Sequence, residues 1–125
     1  MTDQEDVFER VVSALQPMFD QHDFRRVERM NALLAPAARH AAFVAGQEAV
    51  RLVWEESRGS VCLEALEPEF GGTWGDMLLK FIDLRRATTS QLNDLVRILR
   101  DELTIYFGQI DLVENAEGFV PGDRS

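Results

Sequence analysis

Apolar residues recur with two different periods along this chain, and the change of period divides it into three stretches. In the first, Val7/Phe8, Val11/Val12, Leu15 and Met18/Phe19 return every three to four residues, the stripe of a helix that buries one face. Thr2 and Glu5 stand at capping-box spacing ahead of it, and Pro17 predicts a kink or an early last turn. In the middle stretch the period falls to two. Phe24–Met30, Arg39–Ala45, Ala49–Glu55 and Ser60–Leu66 read as strands, with Gly46-Gln47 and Arg58-Gly59 as hairpin loops. Asn31–Ala38, with Pro36, reads as a loop. Beyond Gly71-Gly72 the helical spacing returns. Thr73 with Asp76 predicts the start of a helix carrying Trp74, Met77/Leu78, Phe81/Ile82 and Leu84. Thr88 with Gln91 predicts a second, longer one through Leu92, Leu95, Leu99, Leu103, Phe107 and Ile110.

The two hairpin loops can be checked against each other by counting. Closing at Gly46-Gln47 pairs Phe43 with Val50 and Ala41 with Leu52. Closing at Arg58-Gly59 as a two-residue loop pairs Trp54 with Leu63, Leu52 with Ala65 and Val53 with Glu64. Both place Ala41, Phe43, Val50, Leu52, Trp54, Val61 and Leu63 on one face, an agreement that a one-residue slip would destroy. The expected fold is therefore α+β: an N-terminal helix, a four-stranded antiparallel meander, and two C-terminal helices packed on one face of the sheet. Residues 1–114 form a single domain in this reading, and 115–125 a flexible tail.

Composition narrows the class. The 125 residues are 46% hydrophobic and carry a formal net charge of −9, which suits a folded domain and opposes binding to nucleic-acid phosphates or anionic lipid. Residues 1–23 contribute −5, 24–66 contribute +1 and 67–125 contribute −5, so the acid follows the helices. Cys62 is the single cysteine, which excludes an internal disulfide and a multi-thiolate metal site. No run is long and apolar enough for a membrane span, and the acidic start is unlike a signal peptide. These features predict a cytoplasmic protein.

Motifs for catalysis are sparse. His22 and His40 have no partner at metal-ligand spacing, and Cys62 sits mid-strand where a small buried hydrophobe is common. Gly71-Gly72-Thr73 resembles an anion-binding turn but is surrounded by Glu67, Glu69 and Asp76, the wrong charge. Arg25-Arg26 and Arg85-Arg86 are too small to form a nucleic-acid patch. We therefore expect no catalytic, cofactor-binding or metal residues.

Two features point instead to a partner. Val44, Val53 and Leu66 are apolar on the second, mixed face of the sheet, where ordinary solvation would not require it. Asp94 and Asp101 are expected to face outward on the long C-terminal helix. These five are the candidate partner-binding residues, with no cofactor, a basic protein as the fitting partner, and a homodimer as a further option.

The stretch from Phe24 through Leu66, with Arg51-Leu52-Val53-Trp54 leading through Arg58-Gly59 to Val61-Cys62-Leu63-Glu64, resembles small bacterial proteins of unknown function. The likeness extends over residues 7–107 and implies a bacterial cytoplasmic protein, without implying an activity or site residues. In size and charge the chain is also similar to immunity proteins and secretion chaperones. The expected function is thus non-enzymatic: an acidic, immunity-like or adaptor-like interaction protein. The alternatives are a small ligand-binding domain or enzyme, with a pocket lined by Trp54, Trp74 and Tyr106 between sheet and helices, and a secretion-chaperone-like dimer.

Overall fold

The computed structural model describes residues 6–27, 38–67 and 72–119, with side chains as far as Ile110. Helix α1 spans Val7–Gln21. Strands β1 (Arg25–Val27), β2 (Arg39–Ala45), β3 (Glu48–Glu55), β4 (Ser60–Glu67) and β5 (Thr73–Phe81) follow, and helix α2 (Thr89–Phe119) ends the fold. The strands form one antiparallel sheet in the order β1-β2-β3-β4-β5. Among the described residues there are thus five strands and two helices, not four strands followed by two C-terminal helices.

The ends of α1 show how local chemistry sets its length. Asp6 is the N-cap, its carboxylate accepting from the Glu9 amide at 3.2 Å. The expected Thr2–Glu5 pair lies outside the described residues. At the other end Asp23 has φ 62°, and the amides of Asp23 and Phe24 donate to the carbonyls of Asp20 and Phe19. This double closure satisfies two orphan carbonyls, and the accompanying contact between Phe24 and Phe19 seals the turn. Pro17 neither ends α1 nor shortens it. Ser13 and Pro17 are both exposed, so water can serve the carbonyl that lacks its donor.

The first hairpin has the expected register, with Ala45 opposite Glu48, Phe43 opposite Val50 and Ala41 opposite Leu52. The second is offset by two residues: Trp54 faces Val61, Leu52 faces Leu63 and Val53 faces Cys62. A single 3-10 turn, Glu56–Arg58, followed by Gly59 at φ 62°, lengthens the connection. Because the offset is even, every side chain keeps its face. All seven residues expected on the core face are buried, and Ala65 joins them.

The stretch 73–81 is a strand, where a helix was expected. Met77 is an extra residue in its pairing, since Leu78 faces Leu63 while Asp76 faces Glu64. This bulge puts Met77 and Leu78 on the same side, against the core. The regular alternation of a strand is thereby converted into spacings of three and four that mimic a helix. Strand Phe24–Met30 is described only as Arg25–Val27, its remainder and most of the loop after it lying outside the described residues.

Both helices lie on one side of the sheet, where Phe8, Val11, Val12, Leu15 and Phe19 of α1 meet Leu92, Leu95, Leu99, Leu103 and Phe107 of α2 in one core. The Thr88–Gln91 box starts α2 as expected, each residue's amide donating to the other's side chain at 2.8 and 3.1 Å. Helix α2 reaches Phe119, into the stretch read as a tail.

Two acidic residues at the start of α1, Asp6 and Glu9, face basic residues of the sheet. Arg26 grips Glu9 through two hydrogen bonds of 2.9 and 2.7 Å, and Arg39 holds Asp6 at 2.6 Å. The Arg39 hydrogen bond holds the Asp6 carboxyl below its ordinary range, and the Arg26 hydrogen bond does the same for Glu9. Both groups thus titrate lower folded than unfolded. Their contribution to stability is fully present above the ordinary carboxylate range and is lost as pH falls through the folded values. The pairs are partly exposed, so each is worth less than about 1 kcal/mol. Urea midpoints measured from neutrality into acid should therefore fall more for the native protein than for Asp6→Asn/Glu9→Gln; equal slopes would contradict this.

Candidate functional site

The face of the sheet opposite the helices carries three rows of side chains that run across the strands. Val44 sits opposite Ala49, and Leu66 opposite Trp74, at one level. The next level holds Ala42, Arg51, Glu64 and Asp76, and the third His40, Val53, Cys62 and Leu79. A polar row is therefore flanked by two largely apolar ones. The strand period places alternate residues of β2, β3 and β4 here, and the bulge at Met77 keeps Trp74, Asp76, Leu79 and Phe81 in step with them.

Arg51 is the centre of the polar row. It is only 5% exposed. Its Nε donates to Glu64 Oε1 at 2.5 Å, and its guanidinium lies 4.0 Å from the Trp74 ring centroid. The ring face attracts the cation and the carboxylate neutralises it, two contacts that make a buried arginine tolerable. Nη1, however, is buried with no hydrogen-bond partner among the described residues.

Cys62, Glu64 and Asp76 bring their donor atoms within 4.8 Å of one another. The thiol donates to Asp76 Oδ1 at 3.5 Å. Burial pushes its pKa far up, and the carboxylates of Asp76 and Glu64 push it further. A thiol held protonated is a poor nucleophile. His40 is not placed to activate it. Val53 lies between them, with His40 on one neighbouring strand and Cys62 on the other, about 9–10 Å apart at ordinary strand spacing. Burial, then the charges of Arg51 and Arg26, lower the His40 pKa. Iodoacetamide at pH 8 should therefore alkylate Cys62 at least about tenfold more slowly in the folded protein than in urea; equal rates would show an accessible thiolate.

The three donors could in principle offer a thiolate and two carboxylates to a divalent ion. Glu64, however, is already paired with a cation, Arg51. The arrangement is an ion pair embedded in a sheet face, with the thiol and Asp76 at its margin.

The candidate residues are spread over this framework. Val44 and Leu66 are half-buried in the same row, while Val53 is buried two levels away. Asp94 and Asp101 are exposed on α2, Asp94 lying 3.7 Å from Arg97. Trp54, Trp74 and Tyr106 do not line one pocket. Trp54 is in the core beside Phe8, Trp74 is on the opposite side of the sheet, and the Tyr106 hydroxyl donates to Glu48 at 3.2 Å. Arg85 and Arg86 are likewise engaged, with Glu56 and Asp83.

Sequence reasoning missed the Arg51–Glu64–Asp76 row. An even offset in the second hairpin would have placed Arg51 opposite Glu64. Trp74 and Asp76 were hidden by the helical reading of their segment.

The fold is a two-layer α+β domain with both helices on one face of a meander. No protein-family model, curated protein or solved structure matches the chain. No helix among the described residues is long and apolar enough to cross a membrane.

Proposed function

We propose that this protein is a non-enzymatic interaction domain that binds a basic protein partner through the outer side of α2. The supporting observation is a stripe. Asp94, Ile98, Asp101 and Ile105 follow one another at spacings of four, three and four residues on α2, which places them along one side of the helix. Ile105 is 56% exposed although large and apolar, and Asp94 and Asp101 are exposed beside it. Alternating carboxylates and isoleucines suit a partner that presents basic residues around an apolar contact. The net charge of −9 adds long-range attraction to such a partner. In this reading the protein works in the cytoplasm, takes no cofactor, and binds neither nucleic acid nor membrane. Immunity-like and adaptor-like roles both fit it.

Charge of this kind acts chiefly on the rate of association. A partner retained by the immobilised protein should associate about tenfold or more slowly when salt is raised from low to physiological strength. Asp94→Lys/Asp101→Lys should slow it at low salt and flatten the salt dependence. A salt-independent rate, or equal retention by the variant, would remove the reading. Ile105→Ser should raise the dissociation rate instead, because it removes apolar contact rather than charge.

A further inference from the structure

The two edges of the sheet are built differently. In β1, described over Arg25–Val27, Arg25 and Arg26 are exposed. Charge along an edge is a device by which natural sheets avoid pairing. β5 has nine residues and stands last in the strand order, with no neighbour on its outer side among the described residues. It is also apolar on both sides. Leu79 and Phe81, 43% and 70% exposed, lie on the open face, while Met77 and Leu78 pack against the core. A row of unpaired backbone donors and acceptors is matched by another strand.

We propose that β5 pairs antiparallel with β5 of a second copy of this chain, about a two-fold axis between Met77 and Leu78, to make one continuous ten-stranded sheet. The register follows from the bulge. Met77 and Leu78 share the helix side, so Trp74, Asp76, Leu79 and Phe81 fall on the open face and Gly75 and Lys80 on the helix side. Opposed residues in an antiparallel pair point to the same face. With Met77 opposite Leu78 of the second copy, that condition holds along the whole strand: Trp74 meets Phe81, Asp76 meets Leu79 and Gly75 meets Lys80. A slip of one residue sets open-face residues against helix-side ones.

Charge supports a second copy as the occupant. The Glu67 carboxylate lies over Gly75, where a Cβ would come within 2.6 Å of its Oε2. Lys80 of the second copy, opposite Gly75 and on the same side, brings its ammonium to that carboxylate. The two-fold axis repeats the contact, giving two ion pairs per dimer. The exposed Phe81 is meanwhile covered by Trp74, an aromatic pair of the kind that stabilises neighbouring strands. Self-association of this kind needs no other protein and does not depend on the reading of α2.

The test is sedimentation equilibrium of the purified full chain, with folding checked by circular dichroism. The native protein should dimerise at about 100 µM or below. Lys80→Glu turns two attractions into two repulsions and should weaken the dimer about tenfold. Glu67→Lys/Lys80→Glu restores opposite charges and should recover it. Phe81→Glu alters a side chain that is mostly exposed in the single chain, so it should leave the fold intact and give a monomer. A native protein that stays monomeric overturns the proposal and leaves the edge to a strand of another protein. A dimer that any one of these three variants fails to change as described overturns the register.

Discussion

Phe19→Ala should destabilise the protein by about 3–5 kcal/mol, the range for a large aromatic removed from a packed core. Phe19 is buried on the last turns of α1 and stacks on Phe43 of β2, ring centroids 3.9 Å apart and planes within 2°. It also meets Phe24 at 5.9 Å and the edge of Phe107 on α2 at 5.7 Å. One side chain thus joins both helices, the turn after α1 and the sheet. Truncation leaves a cavity bounded by three further rings, which cannot all close on it. The loss should show in the urea midpoint at an unchanged slope. Phe19→Leu, which keeps most of the volume, should cost less than half as much. A loss below about 1 kcal/mol for Phe19→Ala would mean that the α1–sheet contact is not the centre of the core.

How much of this was legible in the sequence depended on how strictly each segment kept one period. α1 and α2 each bury a single stripe, and the first hairpin alternates Ala41, Phe43, Val50 and Leu52 onto the core face, so their pattern states their structure. The residues of the core face on β2, β3 and β4 follow from the alternation alone. Register in the second hairpin was misread by two residues, because loops of two and of four residues preserve the same faces. β5 defeated the pattern for a physical reason. It has apolar residues on both sides, and its bulge breaks the alternation at Met77, so Trp74, Leu78 and Phe81 fall where a helix would put them.

The polar row shows a different limit. Arg51 and Glu64 are ordinary surface residues by composition, and hydropathy gives no reason to bury them. Their burial comes from neighbours contributed by other strands: Trp74 covers the guanidinium from β5, and the strand that brings it was read as something else. The acidic residues of α1 illustrate the same dependence. Asp6 and Glu9 follow a helical acid pattern that suggests an open anionic surface, yet Arg39 of β2 and Arg26 of β1 occupy them. On α2 Asp94 and Asp101 are left outward, as Asp20, Asp23 and Asp83 are elsewhere.

Glu64→Ala should cost about 3–5 kcal/mol, the usual effect of leaving a buried charge unpaired. Glu64 is the carboxylate that Arg51 holds, at 2.5 Å and with little exposure of either side chain. Among the described residues Arg51 Nη1 already lacks a hydrogen-bond partner, so the substitution leaves a buried guanidinium against the Trp74 ring without its carboxylate. Arg51→Met with Glu64→Leu should behave oppositely. It removes both charges together, keeps a long flexible stem against Trp74, and should come within about 1 kcal/mol of the native protein or exceed it. With Arg51→Met and Glu64→Leu as the single variants, the double variant completes a cycle in which the coupling is large although the pair's net contribution is small. Chemical denaturation of the four proteins measures both quantities. A Glu64→Ala loss below about 1 kcal/mol would mean that water reaches Arg51, and that this side of the sheet opens more readily than its burial implies.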